Sequence, residues 1–323
     1  MDINKAIEAV NCELENFAFP AEPKELYEPV TYILSLGGKR LRPLLVLLGN
    51  YLFSGKWEEA LKPSLSVEMF HNFTLMHDDI MDAAPLRRGK ETVHTKWNSN
   101  TAILSGDAMM IKVYDALSDL EPAKYKKVVQ LFNYTALEVC EGQQYDMNFE
   151  TRNNVSEEEY LEMIRLKTAV LLGFSLQLGA ILGDAKDADA EKLKHFGDAI
   201  GIGFQLKDDI LDVYGDAKDF GKQVGGDIIS NKKTFLLITA LKDATPEQRG
   251  KLEYWITRDS FDTNEKVAAV TALYNQIGVK EKAEKVMNAY FEKGFTLLNE
   301  IVIESQRKEV LRLFANDILM RIK

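Results

Sequence analysis

Two short stretches of this sequence carry three aspartates each at one spacing. They are "HDDIMD", with Asp78, Asp79 and Asp82, and "KDDILD", with Asp208, Asp209 and Asp212. On a helix, residues four apart share a face with their Cβ atoms about 5–6 Å apart. Asp78 and Asp82 therefore point the same way, and Asp79 lies about 100° round the axis. Like charges at that spacing repel unless something neutralises them. Mg²⁺ does so with few protein groups, taking one or two carboxylates and filling its octahedron with waters and phosphate oxygens. One such motif alone reads equally well as a solvated acidic helix end. Two copies, each ending an apolar helix and each followed by a basic loop, read as a facing pair of clusters. Such a pair would hold several Mg²⁺ ions around a polyanion.

The cations sit where a polyanion would need them. "GGKRLRP" gathers Lys39, Arg40 and Arg42 at a helix start. Arg87 and Arg88 follow the first aspartate motif, and Lys222, Lys232 and Lys233 follow the second. Guanidinium forks and lysine point charges both bind phosphate well. Lys167 enters the apolar run "TAVLLGFSLQLG" alone. His71 lies seven residues before Asp78, two helical turns back on nearly the same face, as a candidate diphosphate donor. Gln143 and Asp146 in "CEGQQYD" and Gln205 before the second motif are further polar candidates. There is no HExxH, no recognisable cysteine–histidine nucleophile and no GxxxxGK[ST] phosphate loop. A metal held by carboxylates alone points to diphosphate chemistry rather than to hydrolysis at zinc.

The elements that must position these groups are helices. Apolar residues recur at helical spacing almost throughout, predicting helices near 3–17, 23–36, 40–53, 59–83, 98–118, 123–149, 156–184, 188–214, 231–243, 246–257 and 264–276. A last, broken helix runs over 279–320, and Arg321 and Lys323 beyond it read as solvated charges. The segments 84–100 and 214–233, each directly after an aspartate motif, read as irregular. No Pro/Gly/Ser-rich linker interrupts the 323 residues, so a single all-α domain over 1–323 is expected. A formal net charge of −10 argues against general nucleic-acid binding. Two cysteines, Cys12 and Cys140, are too few for a disulfide framework. The opening residues lack a signal peptide's charged and apolar regions, and apolar stretches such as 169–183 read as too short and interrupted to span a bilayer. A cytoplasmic protein is expected.

Taken in order, "GGKRLRP", "HDDIMD…RRG…VH", "GQ..D", "KT" and "QLKDDILD…GK..G.D…NK" resemble the trans-isoprenyl diphosphate synthases of the polyprenyl synthetase family, nearest the short-chain geranylgeranyl and farnesyl enzymes. The resemblance spans residues 37–234 and implies a bundle of long helices around a deep central cavity, the isoprenoid synthase fold, in a homodimer. It implies head-to-tail condensation of isopentenyl diphosphate with an allylic diphosphate. Asp78, Asp79, Asp82, Asp208 and Asp212 would bind Mg²⁺, about three ions with substrate bound. Asp209 would act in support, and Asp146 would lie close to metal. Arg87, Lys167 and Lys222 would contact the allylic diphosphate, and Lys232 would close over it. Lys39, Arg42, His71 and Arg88 would hold isopentenyl diphosphate. Thr168 and Gln205 would sit near the reacting carbons, and Gln143 would line the site. Glu91 replaces a proline common after "RRG-x", which removes no ligand.

Phe73 and Thr74, five and four residues before Asp78, would form the cavity floor, Phe73 about 7.5 Å below the aspartate. Met69 and Phe70, a turn lower, are alternative floor residues. One aromatic beside a small neighbour implies geranylgeranyl diphosphate, with farnesyl diphosphate the alternative product. Two other readings remain: a terpene cyclase, disfavoured by the second aspartate-rich motif and by "GGKRLRP", and a non-catalytic regulatory subunit, disfavoured by intact aspartates.

Overall fold

Several helices of this chain start at side chains that satisfy the unpaired N–H groups of the first turn. Asp2 accepts from the Asn4 and Lys5 amides at 3.0 and 3.2 Å, starting α1 (Ile3–Glu15). Asn98 caps α6 (Ser99–Leu117). Ser156 with Glu159, and Thr245 with Gln248, form reciprocal capping boxes. They open α8 (Glu157–Ile164) and α13 (Pro246–Ile256). The computed structural model describes residues 1–215 and 225–320. Its other helices include α2 (Lys24–Ser35), α3 (Leu41–Ser54), α4 (Leu61–Met81), α7 (Pro122–Thr151), α9 (Val170–Leu182), α10 (Asp187–Tyr214), the short α11 (Gly226–Ile229), α12 (Phe235–Asp243), α14 (Thr263–Ile277), α15 (Val279–Glu300) and α16 (Ser305–Met320). Between α8 and α9, Arg165–Ala169 winds as a π-turn. The fold is all-α: among the described residues the strands are the hairpin β1 (Leu86–Arg87) and β2 (Lys90–Glu91).

The described chain divides into two compact units. The first holds residues 1–133, 174–194 and 303–310. There α4 packs on α1, α3 and α6, and its first half, residues 63–70, is buried on every side. Two glycines let α3 and α9 touch backbone to backbone. A Cβ on Gly179 would stand 2.1 Å from the Val46 carbonyl oxygen, and one on Gly49 2.5 Å from that of Leu176. The second unit holds the described residues of 134–173, 195–302 and 311–320. Its core runs from Phe149, Tyr160 and Ile164 through Leu206 and Ile210 to Phe235, Leu252 and Leu273.

Three local outcomes differ from the periodicity. Residues 84–100 contain, besides the hairpin, the short helix α5 (Val93–Lys96). The helix expected from 231 starts at Phe235, because Asn231 adopts a left-handed φ of 55° and Thr234 is extended. The run Glu157–Leu182 is long and apolar enough to cross a membrane by length and composition, where a shorter stretch was expected. Its apolar surface is used internally, since 83% of the relevant window is buried in the protein.

Substituting Gly179→Ala forces a methyl into the Val46 carbonyl, and overpacking of this kind costs about 1–3 kcal/mol. Thermal unfolding of the variant is expected to fall by several degrees; an unchanged midpoint would show that α3 and α9 have slack.

Candidate active site

In the first unit the cationic residues converge on His71. Four guanidinium groups act on it: Arg42, Arg88, Arg87 and Arg40. Burial first, and then these charges, hold the His71 pKa well below its ordinary value, so the imidazole is neutral at neutral pH. Burial pushes the Arg42 guanidinium down to about 10, with Glu68 opposing and Arg88 adding to the shift, and it stays protonated at neutral pH. The Arg42 Nε is buried with no hydrogen-bond partner, a state that a bound anion relieves.

The "GGKRLRP" cations divide by role. Arg40, only 6% exposed, donates to Glu68 Oε1 at 2.7 Å, the Leu34 carbonyl at 2.7 Å and Asn11 Oδ1 at 2.9 Å. It is spent inside the protein, while Lys39 is exposed and Arg42 heads the first turn of α3. Arg88 donates to the Gly37 carbonyl. A Cβ on Gly38, whose φ is +139°, would stand 3.0 Å from the Arg88 guanidinium. Gly38 thus admits the Arg88 guanidinium, which lies near enough to Arg42 to act on its charge.

At the C-terminal end of α4, where helix carbonyls already carry partial negative charge, the three aspartates separate. Asp79 is buried to 2%, and Arg87 grips both its oxygens: Nε lies 2.9 Å from each and Nη2 2.7 Å from Oδ1. The same Nη2 lies 3.8 Å from Asp78. Asp78 is half-buried and Asp82 exposed. Below them, the Phe73 ring packs edge-on to His77 at 4.7 Å and lies 5.7 Å from Phe70, which abuts Phe132 at 5.2 Å. The Thr74 hydroxyl donates to the His71 carbonyl at 2.8 Å.

In the second unit a cleft of about 210 Å³ is lined by Asp146, Lys167, Thr168, Gln205, Asp208, Asp209, Asp212, Asp227 and Lys232, over the apolar Met163 and Ile164. Lys167 and Thr168 lie in the π-turn, a distortion frequent at functional sites. A Cβ on Gly142 would stand 2.2 Å from the Lys167 backbone nitrogen, so only glycine lets α7 come this close. The approach sets Lys167 Nζ 2.6 Å from Asp146 Oδ2. Gln143 lies one turn before Asp146 on α7.

Asp209 is the counterpart of Asp79. It is 8% exposed, accepting from the Tyr160 hydroxyl at 2.6 Å and the Phe235 amide at 3.4 Å. Burial pushes its carboxyl up to about 7, the Tyr160 bond pulling the other way. Asp208 is exposed, and Asp212 accepts from the Asp227 amide at 2.9 Å. Desolvation works to lower the Lys232 pKa, and the carboxylates of Asp227, Asp146, Asp209 and Asp208 overcome it.

Of the residues singled out by sequence, Arg42, His71, Arg87 and Arg88 therefore come together in one unit. Asp146, Lys167, Thr168, Gln205, Asp208, Asp209, Asp212 and Lys232 come together in the other. Lys222, Arg321 and Lys323 lie outside the described residues. Glu68, Tyr160 and Asp227 were missed. Glu68, a lone charge in "SLSVEMF", and Asp227, after the glycines of "GGD", carried a readable signal. Tyr160 carried none.

Five carboxylates against two lysines in the cleft leave excess negative charge supplied by hard oxygen donors. Among the described residues no three His, Cys, Asp or Glu side chains by themselves enclose an ion. The hard oxygen donors of the cleft suit a divalent cation that keeps much of its shell for water and substrate oxygens.

The polyprenyl synthetase family profile matches residues 23–276. A geranylgeranyl diphosphate synthase from Methanosarcina mazei is 36% identical over 314 residues, 97% of this chain and 94% of that protein. A solved geranylgeranyl pyrophosphate synthase superposes with a TM-score of 0.95 at 42% identity, covering 99% of each chain. Another, from Corynebacterium glutamicum and complexed with isoprenyl diphosphate and magnesium, gives 0.86 at 28% identity, covering 99% of this chain and 100% of that one. More distant relatives include geranylfarnesyl diphosphate synthases. The helical fold and paired aspartate motifs, with these matches, define a prenyltransferase. The chain belongs to the polyprenyl synthetase family.

The neutral His71 sets a pH dependence. The unfolded chain takes up a proton on this histidine below pH 6.5 and the folded chain does not, so folding stability is lost as pH falls below that value. In His71→Gln, up to about 1.4 kcal/mol per pH unit of that slope should disappear. Urea unfolding at pH 5 and pH 7 measures it; equal slopes in both proteins would mean that burial and the arginines together do not hold the His71 pKa down.

Proposed function

We propose that this protein condenses isopentenyl diphosphate head to tail with an allylic diphosphate, releasing geranylgeranyl diphosphate as its main all-trans product. The reading is carried by four guanidinium groups near enough to act electrostatically on His71, one of them with a buried, unpartnered Nε, in a chain of net charge −10. Such a concentration of fixed positive charge suits a compact polyanion. Lys39, Arg42, His71 and Arg88 bind the diphosphate of isopentenyl diphosphate, leaving its alkene end free.

Arg87, Lys167, Lys232 and Lys222 bind the allylic diphosphate. Asp78, Asp82, Asp208 and Asp212 hold magnesium, with Asp146 near it and Asp79 and Asp209 in support. When bound, the metal stabilises negative charge on the leaving diphosphate. Lys167 and Lys232 add fixed charge to the same oxygens as the allylic C–O bond breaks. The Thr168 hydroxyl and Gln205 amide direct their dipoles at the carbon end, and Gln143 lines the wall. The alkene of isopentenyl diphosphate then forms the new C–C bond, and the proton it loses passes to the departing diphosphate. The apolar side chains of the cleft exclude water that would otherwise quench the cation.

Phe73, wedged between His77 and Phe70, is the floor that ends elongation, with Thr74 beside it. The chain acts as a single functional domain in the cytoplasm. It works as a homodimer through the apolar face of α6, where Leu104 and Ile111 are 60% and 66% exposed. A second copy of the chain covers that face.

Mass spectrometry of products formed with Mg²⁺, isopentenyl diphosphate and dimethylallyl, geranyl or farnesyl diphosphate tests the reading. Geranylgeranyl diphosphate is expected from each primer. Products ending at farnesyl overturn the length assignment alone, and no elongation by folded protein favours a non-catalytic subunit. Phe73→Ala is expected to lengthen the product by at least one isoprene unit; an unchanged distribution places the floor elsewhere. Leu104→Glu with Ile111→Glu is expected to give monomers by light scattering, and a persistent dimer would exclude this face.

A further inference from the structure

Lys266, on α14, is 1% exposed. Lysine is seldom buried so deeply unless a fixed arrangement of acceptors receives it. Its ammonium donates to Asn231 Oδ1 at 2.7 Å and the Ile229 carbonyl at 3.2 Å, and lies 4.1 Å from the centre of the Phe261 ring. Both oxygens belong to residues 225–234, directly before α12.

These residues are held from several sides. Gly225, with a φ of +85°, sits so close to α14 that a Cβ would stand 2.7 Å from Val267. Its amide donates to the Asp212 carbonyl at 2.6 Å, and the Asp227 amide donates to the Asp212 carboxylate at 2.9 Å. Asn231 adopts its left-handed conformation with both ends of its side chain engaged. Oδ1 accepts from Lys266, and Nδ2 donates to the Ile256 carbonyl at 3.0 Å. The next residue, Lys232, donates its amide to the Asp227 carbonyl at 2.9 Å and extends its side chain among the cleft carboxylates. A left-handed residue other than glycine persists only when its surroundings hold it. Lys266 supplies that hold from the interior.

We infer that Lys266 is a positioning residue for the allylic-diphosphate half of the site: it fixes the Asn231 turn that delivers Lys232 and Asp227 to the carboxylate cleft. This rests on the assignment of Lys232 to the allylic diphosphate proposed above. A methionine at 266 would fill the same volume without either donated bond, leaving the turn free to relax and Lys232 displaced.

Hydrogen exchange of the 225–234 amides and steady-state kinetics, both on the full-length chain, test it. In Lys266→Met, exchange across 225–234 should rise while α3 and α4 stay protected. The KM for the allylic diphosphate should rise about tenfold, the loss expected for one charge-assisted hydrogen bond. The KM for isopentenyl diphosphate should stay within about twofold, since the arginines near His71 belong to the other compact unit. Asn231→Gly relieves the φ but removes the acceptor, so it should reproduce the shift. The double variant should be no worse than the worse single one. Unchanged exchange in Lys266→Met, equal rises in both KM values, or additive effects in the double variant would overturn the inference. If the wild-type chain elongates no primer, the kinetic role falls with the functional reading, and the exchange result still decides whether Lys266 clamps the turn.

Discussion

Like charges held close together are the constraint on which this structure depends. Three carboxylates end α4, three more lie near the end of α10, and four guanidinium groups act on one imidazole. Each group is unfavourable alone, and the protein offsets the charges of each one differently. In both aspartate motifs the middle carboxylate is withdrawn from solvent and bonded to the protein: Asp79 to Arg87, and Asp209 to Tyr160 and the Phe235 amide. The outer pairs, Asp78 with Asp82 and Asp208 with Asp212, keep the i, i+4 relation that lets two carboxylates share one cation. Among the arginines, Arg40 is balanced by Glu68, while the buried Nε of Arg42 is left without a partner. Negative charge is concentrated at the aspartates and positive charge near His71, which is the pattern a metal-bound diphosphate and a second, separately held diphosphate would complete.

Glycines and one distorted turn give this charge its geometry. Gly38 admits Arg88, and Gly142 lets α7 meet the π-turn so that Lys167 reaches Asp146. These are backbone devices near the chemistry, where a methyl group would displace a charge. Gly49 and Gly179 do the same away from it, fixing α3 against α9 so that α3 presents its N-terminal arginine from a rigid support.

Much of the fold was legible because helical spacing of apolar residues is a strong signal over long stretches. The ends of α6, α7, α10 and α14 fall within two residues of expectation. The start of α12 was not legible, because nothing local says that Asn231 turns left-handed; Lys266, distant in sequence, holds it there. The π-turn was hidden for a similar reason, since it belongs to a close approach by Gly142. For the site, spacing identified the aspartates and the order of the basic segments. It did not show which of Lys39, Arg40 and Arg42 is internal, because that depends on Glu68, one turn of a different helix. Nor did it show that Arg87 grips Asp79, which makes this arginine as much a partner of the motif as of a ligand.

The central claim, that partly neutralised clusters await diphosphate and magnesium together, is tested most directly by thermal unfolding with Mg²⁺, with inorganic diphosphate, and with both. Stabilisation by ligand follows its affinity for the folded state. Both together should raise the midpoint by more than the sum of their separate effects, and Arg42→Met should reduce the part that diphosphate contributes without metal. No shift with both present, or a shift unaffected by Arg42→Met, would contradict the account.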